Sequence, residues 1–329
     1  RDTDRSRGLG DVYKRQLMAV MAVGLIACGT DKSDNESTKE EKTSVTITSL
    51  DASKNEIELE VPYNPKRIAI LDLASLDIID ELGVGDRVVG MASTSIDYLE
   101  KYSNDASIKN LGTIKEADLE AVMECEPDII FIGGRLSKSY DALSEIAPVV
   151  YLATDTNEGL VNSVSKNAKT IASIFGMEDK VDSLMSDFGA RIDAIKKISS
   201  GKTALVGMTT SGSFNLLGND GRCSLIGVEA GFNNLTAAGS TSTHGNESSF
   251  ETVVQQNPDY IFVMDRDSAI STAGAKTAKE IVENELVKTT DAYKNNHIIY
   301  LEHSNVWYTA EGGIQALDIM LTDLEKGLK

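Results

Sequence analysis

Two ten-residue stretches decide the fold of this 329-residue sequence: EPDIIFIGGR at residues 126–135 and NPDYIFVMDR at residues 257–266. In each, a Pro-Asp pair precedes an apolar run that is typical of a strand buried on both faces of a parallel sheet, and an arginine follows the run. The likeness extends to ADLEAVMECEPDIIFIGGR (117–135) and SSFETVVQQNPDYIFVMDR (248–266), which align at a constant spacing of 131 residues. The sequence therefore predicts the same helix, turn, strand and arginine twice.

Short β-type runs alternate with helical patterns around both copies, which indicates α/β units. The predicted strands are 67–71, 88–91, 128–132 and 149–152 in the first half, and 203–208, 259–264 and 297–301 in the second. The predicted helices include 73–82, 117–126, 250–256 and 311–325.

A helix is predicted to join the halves. Apolar residues spaced by three or four positions form a stripe within residues 157–178, namely Leu160, Val164, Ala168, Ile171 and Phe175. A second helical pattern follows over 178–198, and no Gly/Ser linker interrupts the region. The predicted fold is thus α/β, with two Rossmann-like lobes joined by a long rigid α-helix and a ligand cleft between them. We call residues 45–156 the N lobe and residues 179–329 the C lobe.

The first 44 residues are predicted to lie outside the folded domain. Residues 1–16 do not begin with Met and mix charge with glycine, so we treat them as a non-native lead. LMAVMAVGLIA at 17–27 is uncharged, too short to span a bilayer, and typical of a signal-peptide h-region. It ends at LIAC, which resembles the lipoprotein box and makes Cys28 the expected lipidation site. The polar residues 28–44 have the composition of a flexible tether.

Charge and cysteine usage narrow the class of protein. A formal net charge of -19 argues against a nucleic-acid partner, since phosphate binding needs a basic face. Cys125 and Cys223 lack metal or redox spacing, which favours free thiols over a disulfide between the halves.

Enzyme motifs fail. SGKT at 200–203 has Lys196 where a phosphate loop needs glycine, and neither GxSxG nor HExxH occurs. We therefore expect a protein that is not an enzyme.

Three arginines occupy places where ligands bind in α/β folds. Arg135 and Arg266 follow matched strands, at the carboxyl ends where open α/β sheets bind ligands. Arg222 lies in the glycine-flanked turn GNDGRCSLIG at 218–227. Because guanidinium groups suit oxygen anions, the three arginines in so acidic a chain predict an anion-binding cleft.

The loops of the C lobe add candidate metal ligands. His244 lies in STSTHGNESS, just before the second copy of the repeat, and Trp307 and Tyr308 lie in the predicted loop EHSNVWYTAEGG. A phenolate suits a hard ion such as Fe(III), and Trp307 could provide a stacking wall. One His and one Tyr cannot complete the coordination of iron, so the ligand would supply most donors.

Together, the lipoprotein box, PKRIAILDLASLDIIDELGV, the paired repeat, the joining helix, THGNESSFE and NVWY resemble bacterial siderophore-binding lipoproteins of ABC importers, especially the catecholate and petrobactin branch. The resemblance covers about residues 20–329. It implies a monomeric two-lobed receptor without an intrinsic cofactor, which binds a ferric siderophore and delivers it to an ABC permease. Its location would be the outer face of the cytoplasmic membrane, on a Gram-positive cell or in a periplasm.

The resemblance also implies roles for single residues. Arg135, Arg222 and Arg266 match an arginine clamp for the anionic complex, and His244 and Tyr308 match residues that ligate iron in some relatives. Whether His244 and Tyr308 ligate iron here or only line the cleft stays open. Glu120 and Glu251 match acidic residues, one on each lobe, that engage the permease. Haem or a corrinoid is the alternative cargo, since the architecture serves several large chelates.

Overall fold

Helices cover a central parallel sheet in the N lobe. The computed structural model of the chain describes residues 42–237 and 241–329. The strands of the N lobe are β1 (Ser44–Leu50), β2 (Glu56–Pro62), β3 (Ile68–Leu71), β4 (Val88–Met91), β5 (Lys109–Asn110), β6 (Gly112–Thr113), β7 (Glu116–Ala117), β8 (Ile129–Ile132) and β9 (Val149–Tyr151). Its helices are α1 (Leu73–Glu81), α2 (Glu100–Ser103), α3 (Leu119–Glu124) and α4 (Tyr140–Ser144). The five-stranded sheet has the order β5-β4-β3-β8-β9, and every pairing in it is parallel.

The C lobe repeats this plan with a mixed sheet. Its strands are β10 (Thr203–Thr210), β11 (Ser213–Leu216), β12 (Asn233–Asn234), β13 (Asn246–Glu247), β14 (Tyr260–Asp265) and β15 (Ile298–Tyr300). Three helices, α5 (Leu160–Phe175), α6 (Glu178–Leu184) and α7 (Phe188–Ser199), precede this sheet. The others are α8 (Ser224–Gly227), α9 (Phe250–Gln256), α10 (Arg266–Ala269), α11 (Ala278–Val282), α12 (Asp291–Lys294), α13 (Ser304–Thr309) and α14 (Ile314–Gly327). The order is β13-β11-β10-β14-β15, with β12 parallel to β10. The predicted two-lobed α/β fold is confirmed.

The two copies of the sequence repeat adopt the same local structure. Asp128 accepts hydrogen bonds from the backbone N–H groups of Lys66 and Arg67 at 2.7 and 2.9 Å, and so ties its turn to the start of β3. Asp259, its match, accepts from the backbone N–H and the hydroxyl of Thr203 at 2.8 and 2.9 Å, at the start of β10. The Pro-Asp pair therefore joins two neighbouring strands in each lobe.

Both central sheets are apolar on both faces. In β3, Ile68 and Ile70 pack into one apolar cluster, while Ala69 and Leu71 pack into another on the opposite face. β14 likewise divides its side chains between two clusters. The cluster that contains Ile68 also contains Phe262 of the C lobe, so one core continues through both lobes. Burial of this kind contributes roughly 25 cal/mol for each Å² of apolar surface.

The joining helix α5 is shorter than its predicted range, because glycines stand at both of its ends. Gly159 (φ 80°) and Gly176 (φ 67°) have left-handed backbone conformations that glycine adopts without strain. The helical pattern predicted over 178–198 is broken into α6 and α7 at residues 185–187. There the hydroxyl of Ser186 bonds the carbonyl of Ser183 at 2.9 Å, a local bond that competes with helix continuation.

The sequence patterns did not predict the antiparallel hairpin of β1 and β2, whose register runs from Ser44–Pro62 to Leu50–Glu56. The lead 1–16, the h-region 17–27, Cys28 and most of the tether lie outside the described residues; β1 begins at Ser44. Within the described ranges, no helix is both long enough and apolar enough to cross a bilayer.

Candidate ligand-binding cleft

Tyr308 lies at the centre of the predicted site, and its backbone carbonyl oxygen accepts hydrogen bonds from both lobes. Nη2 of Arg135, in the N lobe, donates to this oxygen at 3.2 Å. Nε of Arg222, in the C lobe, donates to it at 3.3 Å. Arg135 follows Gly133 and Gly134, and a side chain at Gly133 would collide with the carboxylate of Asp72. Since Arg135 belongs to the N lobe and Tyr308 to the C lobe, the hydrogen bond of Arg135 links the lobes across the cleft.

Arg266 contacts the hydroxyl end of Tyr308 and is held within its own lobe. Its Nε lies 3.2 Å from the Tyr308 hydroxyl oxygen. Its Nη1 donates to the hydroxyl of Thr210 at 3.2 Å and pairs with the carboxylate of Asp267 at 3.2 Å. Since Arg266 begins α10 directly after β14, the strand end sets the position of the guanidinium group.

Three guanidinium groups surround one aromatic ring. The central carbons of Arg135, Arg222 and Arg266 lie 5.6, 4.5 and 5.7 Å from the centroid of the Tyr308 ring. Within the described residues, neither Arg135 nor Arg222 has an ion-pair partner, whereas Arg266 has Asp267. Burial, and then the like charge of Arg222, lower the pKa of Arg135, yet a guanidinium group keeps its charge at neutral pH. The cluster therefore concentrates positive charge around Tyr308, as the predicted anion-binding cleft requires.

The arginines also alter the chemistry of Tyr308. Burial alone would raise its pKa, but the hydrogen bond from Arg266 and the charges of Arg222, Arg266 and Arg135 outweigh burial and lower the pKa below its usual value. A lowered pKa lets the hydroxyl lose its proton more easily, and the resulting phenolate oxygen is a hard donor that suits Fe(III). The geometry therefore favours Tyr308 as an oxygen donor.

His244 lies in an exposed turn near the same cations. Its backbone carbonyl accepts a hydrogen bond from Nδ2 of Asn215 at 2.8 Å, which ties the turn to β11. Burial, and then the charges of Arg266, Arg222, Lys115 and Arg135, lower the pKa of His244. The shift favours the neutral imidazole, which is the form that can coordinate a metal.

Two cavities meet at Arg135 and Tyr308. One of about 440 Å³ extends towards α5 and is also lined by Arg222. The other, of about 400 Å³, extends along the loop 93–95 and the β6–β7 hairpin. Both volumes lie in the range of small-molecule sites. Arg266 and His244 line neither cavity.

The structure corrects the expectation for Trp307. The residues 304–309 form α13 rather than a loop, and this helix turns the indole into the core, where it is 0% exposed. Its Nε1 donates to Oδ2 of Asp323 at 2.9 Å. Because Trp307 has no surface in the cleft, the prediction that it binds the ligand is wrong, and Tyr308 is the aromatic residue at the site.

Among residues 42–237 and 241–329, one further group of possible metal ligands lies outside the cleft: Glu302, His303 and Asp323. Asp323 is buried and accepts hydrogen bonds from Nδ1 of His303 at 2.8 Å, from its backbone N–H at 3.0 Å and from Trp307. Glu302 is paired with Lys326 at 2.8 Å. These carboxylates already have partners, so the group fixes the start of α13.

Two charged residues at the cleft were missed by sequence reasoning. Lys115, at the turn between β6 and β7, lines the second cavity and acts on His244 from the opposite lobe. Glu311, just after α13, lines the first cavity together with Arg135 and Arg222. Neither residue belongs to the repeat or stands at a strand end, so no sequence signal identified it.

Contacts between the lobes also include a buried carboxylate. Asp77 of α1, which is 0% exposed, accepts hydrogen bonds from the backbone N–H groups of Gln315 and Ala316, both at 2.9 Å, at the start of α14. The Tyr98 hydroxyl donates to it at 2.6 Å. Burial raises the pKa of Asp77 to about 6, although these hydrogen bonds oppose the shift. The carboxylate joins the lobes away from the arginine cluster.

The predicted docking residues occupy matched surface positions. Glu120 lies in the first turn of α3, whose start is capped by Asp118 through a 3.0 Å bond to the backbone N–H of Ala121. Glu251 lies in the first turn of α9, which Ser249 caps. Both glutamates are exposed. The structure thus presents one acidic side chain on corresponding helices of the two lobes, α3 and α9.

The fold and the cleft define a two-lobed binding protein with a cationic site between α/β domains. The family model described as periplasmic binding protein matches residues 68–304, and the chain belongs to this family of binding proteins. The petrobactin-binding protein YclQ of Bacillus subtilis is 36% identical over 94% of this chain and 96% of its own length. Its crystal structure matches with a TM-score of 0.80 over 87% of this chain and 99% of that chain.

Two further solved structures share the fold. The periplasmic catecholate-siderophore binding protein VctP of Vibrio cholerae matches with a TM-score of 0.77 and 30% identity, over 86% of this chain and 100% of that chain. BauB, solved with a complex between two molecules of acinetobactin and ferric iron, matches with a TM-score of 0.75 and 27% identity, over 87% and 99%. The resemblance inferred from the sequence is confirmed at the level of the family.

Proposed function

We propose that this protein captures a ferric siderophore of the catecholate class and delivers it to an ABC permease for iron uptake. The observation that carries the proposal is the arrangement of Arg135, Arg222 and Arg266 around Tyr308, with cations from both lobes. Three catecholates on Fe(III) leave a net charge of about -3, which matches three guanidinium groups in a partly desolvated cleft. The similarity to VctP, a catecholate-siderophore binding protein, supports this ligand class, and the similarity to YclQ, a petrobactin-binding protein, agrees with the predicted petrobactin branch.

Iron is the cargo in this proposal, and the siderophore supplies most of its donors. Where the siderophore supplies only four, Tyr308 and His244 complete the coordination. The lowered pKa values of Tyr308 and His244 support this role, since both side chains ligate iron in their deprotonated forms. The exposed position of His244 lets the turn approach a chelate that fills the cleft.

Delivery requires a surface that the permease recognises. Glu120 and Glu251 serve as the two contacts in our proposal, since they are exposed, acidic and placed alike on the two lobes. Lipidation at Cys28 would hold the protein at the outer face of the cytoplasmic membrane.

Equilibrium titration with a panel of iron chelates tests the proposal. The panel contains ferric tris-catecholate, bis-catecholate and hydroxamate complexes together with haem, and the emission of Trp307, the single tryptophan, is the readout. Trp307 adjoins Tyr308, so absorption by a bound ferric catecholate quenches its emission without contact. We expect quenching at submicromolar ferric catecholate. Tight binding of haem or hydroxamate, with no catecholate bound, would assign a different cargo.

A further inference from the structure

Glu311 is a carboxylate without a bonding partner beside the arginine cluster. It follows α13 and lines the cavity of about 440 Å³ together with Arg135 and Arg222. Its side chain forms no hydrogen bond or ion pair with any residue of the described ranges. The two arginines instead direct donors to the Tyr308 carbonyl oxygen. The ionised form of Glu311 is therefore stabilised by the charges of the arginines and by water in the cavity, and by no fixed donor.

Other groups near Glu311 make its ionised form costly. Glu229 adds a second carboxylate: its Oε1 accepts from the backbone N–H of Val161 at 3.2 Å, while its buried Oε2 lacks a partner among the described residues. Cys223, a buried thiol, adds no positive charge. The remaining ionisable residues that line the same cavity are Asp72, Asp155 and Asp220. Only Arg135 and Arg222 favour a negative charge on Glu311 there.

We infer that Glu311 takes up a proton when the anionic chelate binds, and that this proton makes the affinity for the chelate depend on pH. The inference rests on the proposed function. An anion that occupies the arginines adds negative charge next to Glu311 and displaces water from the cavity, and both changes favour the neutral carboxyl group. The ligand therefore binds best to the protein with protonated Glu311.

The direction of the pH effect follows from linkage. Burial raises the pKa of Glu311 to about 7 in the free protein, although Arg222 and Arg135 oppose the shift. Below this pH, Glu311 is protonated with or without ligand, and it contributes no pH dependence. As the pH rises through 7, the free protein loses the proton that the complex keeps, so affinity falls by about tenfold between pH 6 and pH 8. This residue thereby makes binding weaker in alkaline surroundings.

The substitution Glu311→Gln keeps the shape of the side chain and removes its titration. With the ferric complex of a hexadentate tris-catecholate as the probe, we expect the variant to bind about tenfold more tightly than wild type at pH 8, and within about twofold of it at pH 6. Tyr308, His244 and the probe also titrate, but they do so alike in both proteins. Glu302→Gln is the matched control, since Glu302 is paired with Lys326 and lines neither cavity.

Calorimetry in buffers of different ionisation enthalpy counts directly the protons that are taken up on binding. At pH 8 we expect wild type to take up about one proton more per ligand than Glu311→Gln, and Glu302→Gln to match wild type. If Glu311→Gln fails to fold, uptake by wild type that rises from pH 6 to pH 8 still supports the inference, and its absence overturns it. Equal proton uptake by wild type and Glu311→Gln also overturns it. Absence of any catecholate binding would instead defeat the proposed function.

Discussion

The two lobes share a repeated frame but hold their matched arginines differently. Arg266 is fixed inside the C lobe by Thr210, Asp267 and the Tyr308 hydroxyl. Arg135 has no ion-pair partner within the described residues, and its bond to the Tyr308 carbonyl crosses to the other lobe. The same sequence motif therefore produces a preformed cation in one lobe and a bridging cation in the other.

This difference indicates how the cleft is built. Arg222, Arg266, Tyr308 and His244 all belong to the C lobe, which therefore carries most of the residues of the predicted site. The N lobe adds Arg135 and Lys115.

The outer helices differ as well. In α3, Leu119 and Met123 flank Glu120 and are 39% and 60% exposed. In α9, the matched residues Phe250 and Val254 are partly buried, and Phe250 stacks on Phe214 at 6.3 Å. The N lobe thus exposes more apolar surface around its docking glutamate than the C lobe does.

The largest expected effect comes from the C-lobe arginines. Arg222→Ala or Arg266→Ala should lower the affinity for a ferric catecholate tenfold or more, a loss of at least about 1.4 kcal/mol. Arg135→Ala should cost less than Arg266→Ala, because Arg266 also supports the Tyr308 hydroxyl. Equilibrium titration of the three variants measures the order. Arg67→Ala is a matched control, since this arginine bonds the backbone of the turn before β8. Unchanged affinity in both C-lobe variants would place the clamp elsewhere.

The docking glutamates should affect transport and leave binding intact. Glu120→Gln or Glu251→Gln should each slow iron uptake about threefold, as expected for an exposed ion pair worth up to about 1 kcal/mol. The dissociation constant for the chelate should stay unchanged, since both residues lie on outer helices. Uptake by cells that carry each variant, compared with Glu116→Gln as an exposed control, measures the effect. A slowdown confined to one lobe would show that the lobes dock unequally, and normal uptake by both would refute the docking role.

A smaller effect should appear in the spectrum of the bound iron. His244→Ala should change the charge-transfer band of a ferric bis-catecholate, which leaves two positions on iron, and should leave that of a hexadentate tris-catecholate unchanged. Tyr308→Phe should do the same by removing the phenolate. Absorption spectra of wild type and both variants, each with the two chelates, provide the measurement. Identical spectra for His244→Ala and wild type with the bis-catecholate would mean that His244 does not ligate iron.

Much of the cleft was predictable from the sequence, because the repeat contains two of its three arginines. Arg135 and Arg266 each follow a strand that its apolar run predicts clearly. The repeat, with its spacing of 131 residues, places both arginines at the carboxyl ends of matched strands. Arg222 and Tyr308 were placed at the cleft from turn chemistry and the family resemblance. These residues are positioned by local structure that sequence patterns describe well.

Other features depend on packing between distant segments. Trp307 and Tyr308 are neighbours, and the sequence of α13 does not indicate which one faces the core; the buried acceptor Asp323 on α14 decides it. Glu311 acquires its environment from Arg135, Arg222 and Glu229, which belong to separate elements. The β1–β2 hairpin lies almost entirely within the predicted N lobe, but no strands were predicted there; only Ser44 belongs to the predicted tether.

Anomalous diffraction at the iron edge, from crystals grown with a ferric catecholate, tests the central claim most directly. The account predicts one iron peak between the lobes, with the guanidinium groups of Arg135, Arg222 and Arg266 around the chelate and the Tyr308 hydroxyl oriented towards the metal. An iron peak outside this cluster, or a bound chelate that none of the three arginines contacts, would contradict it.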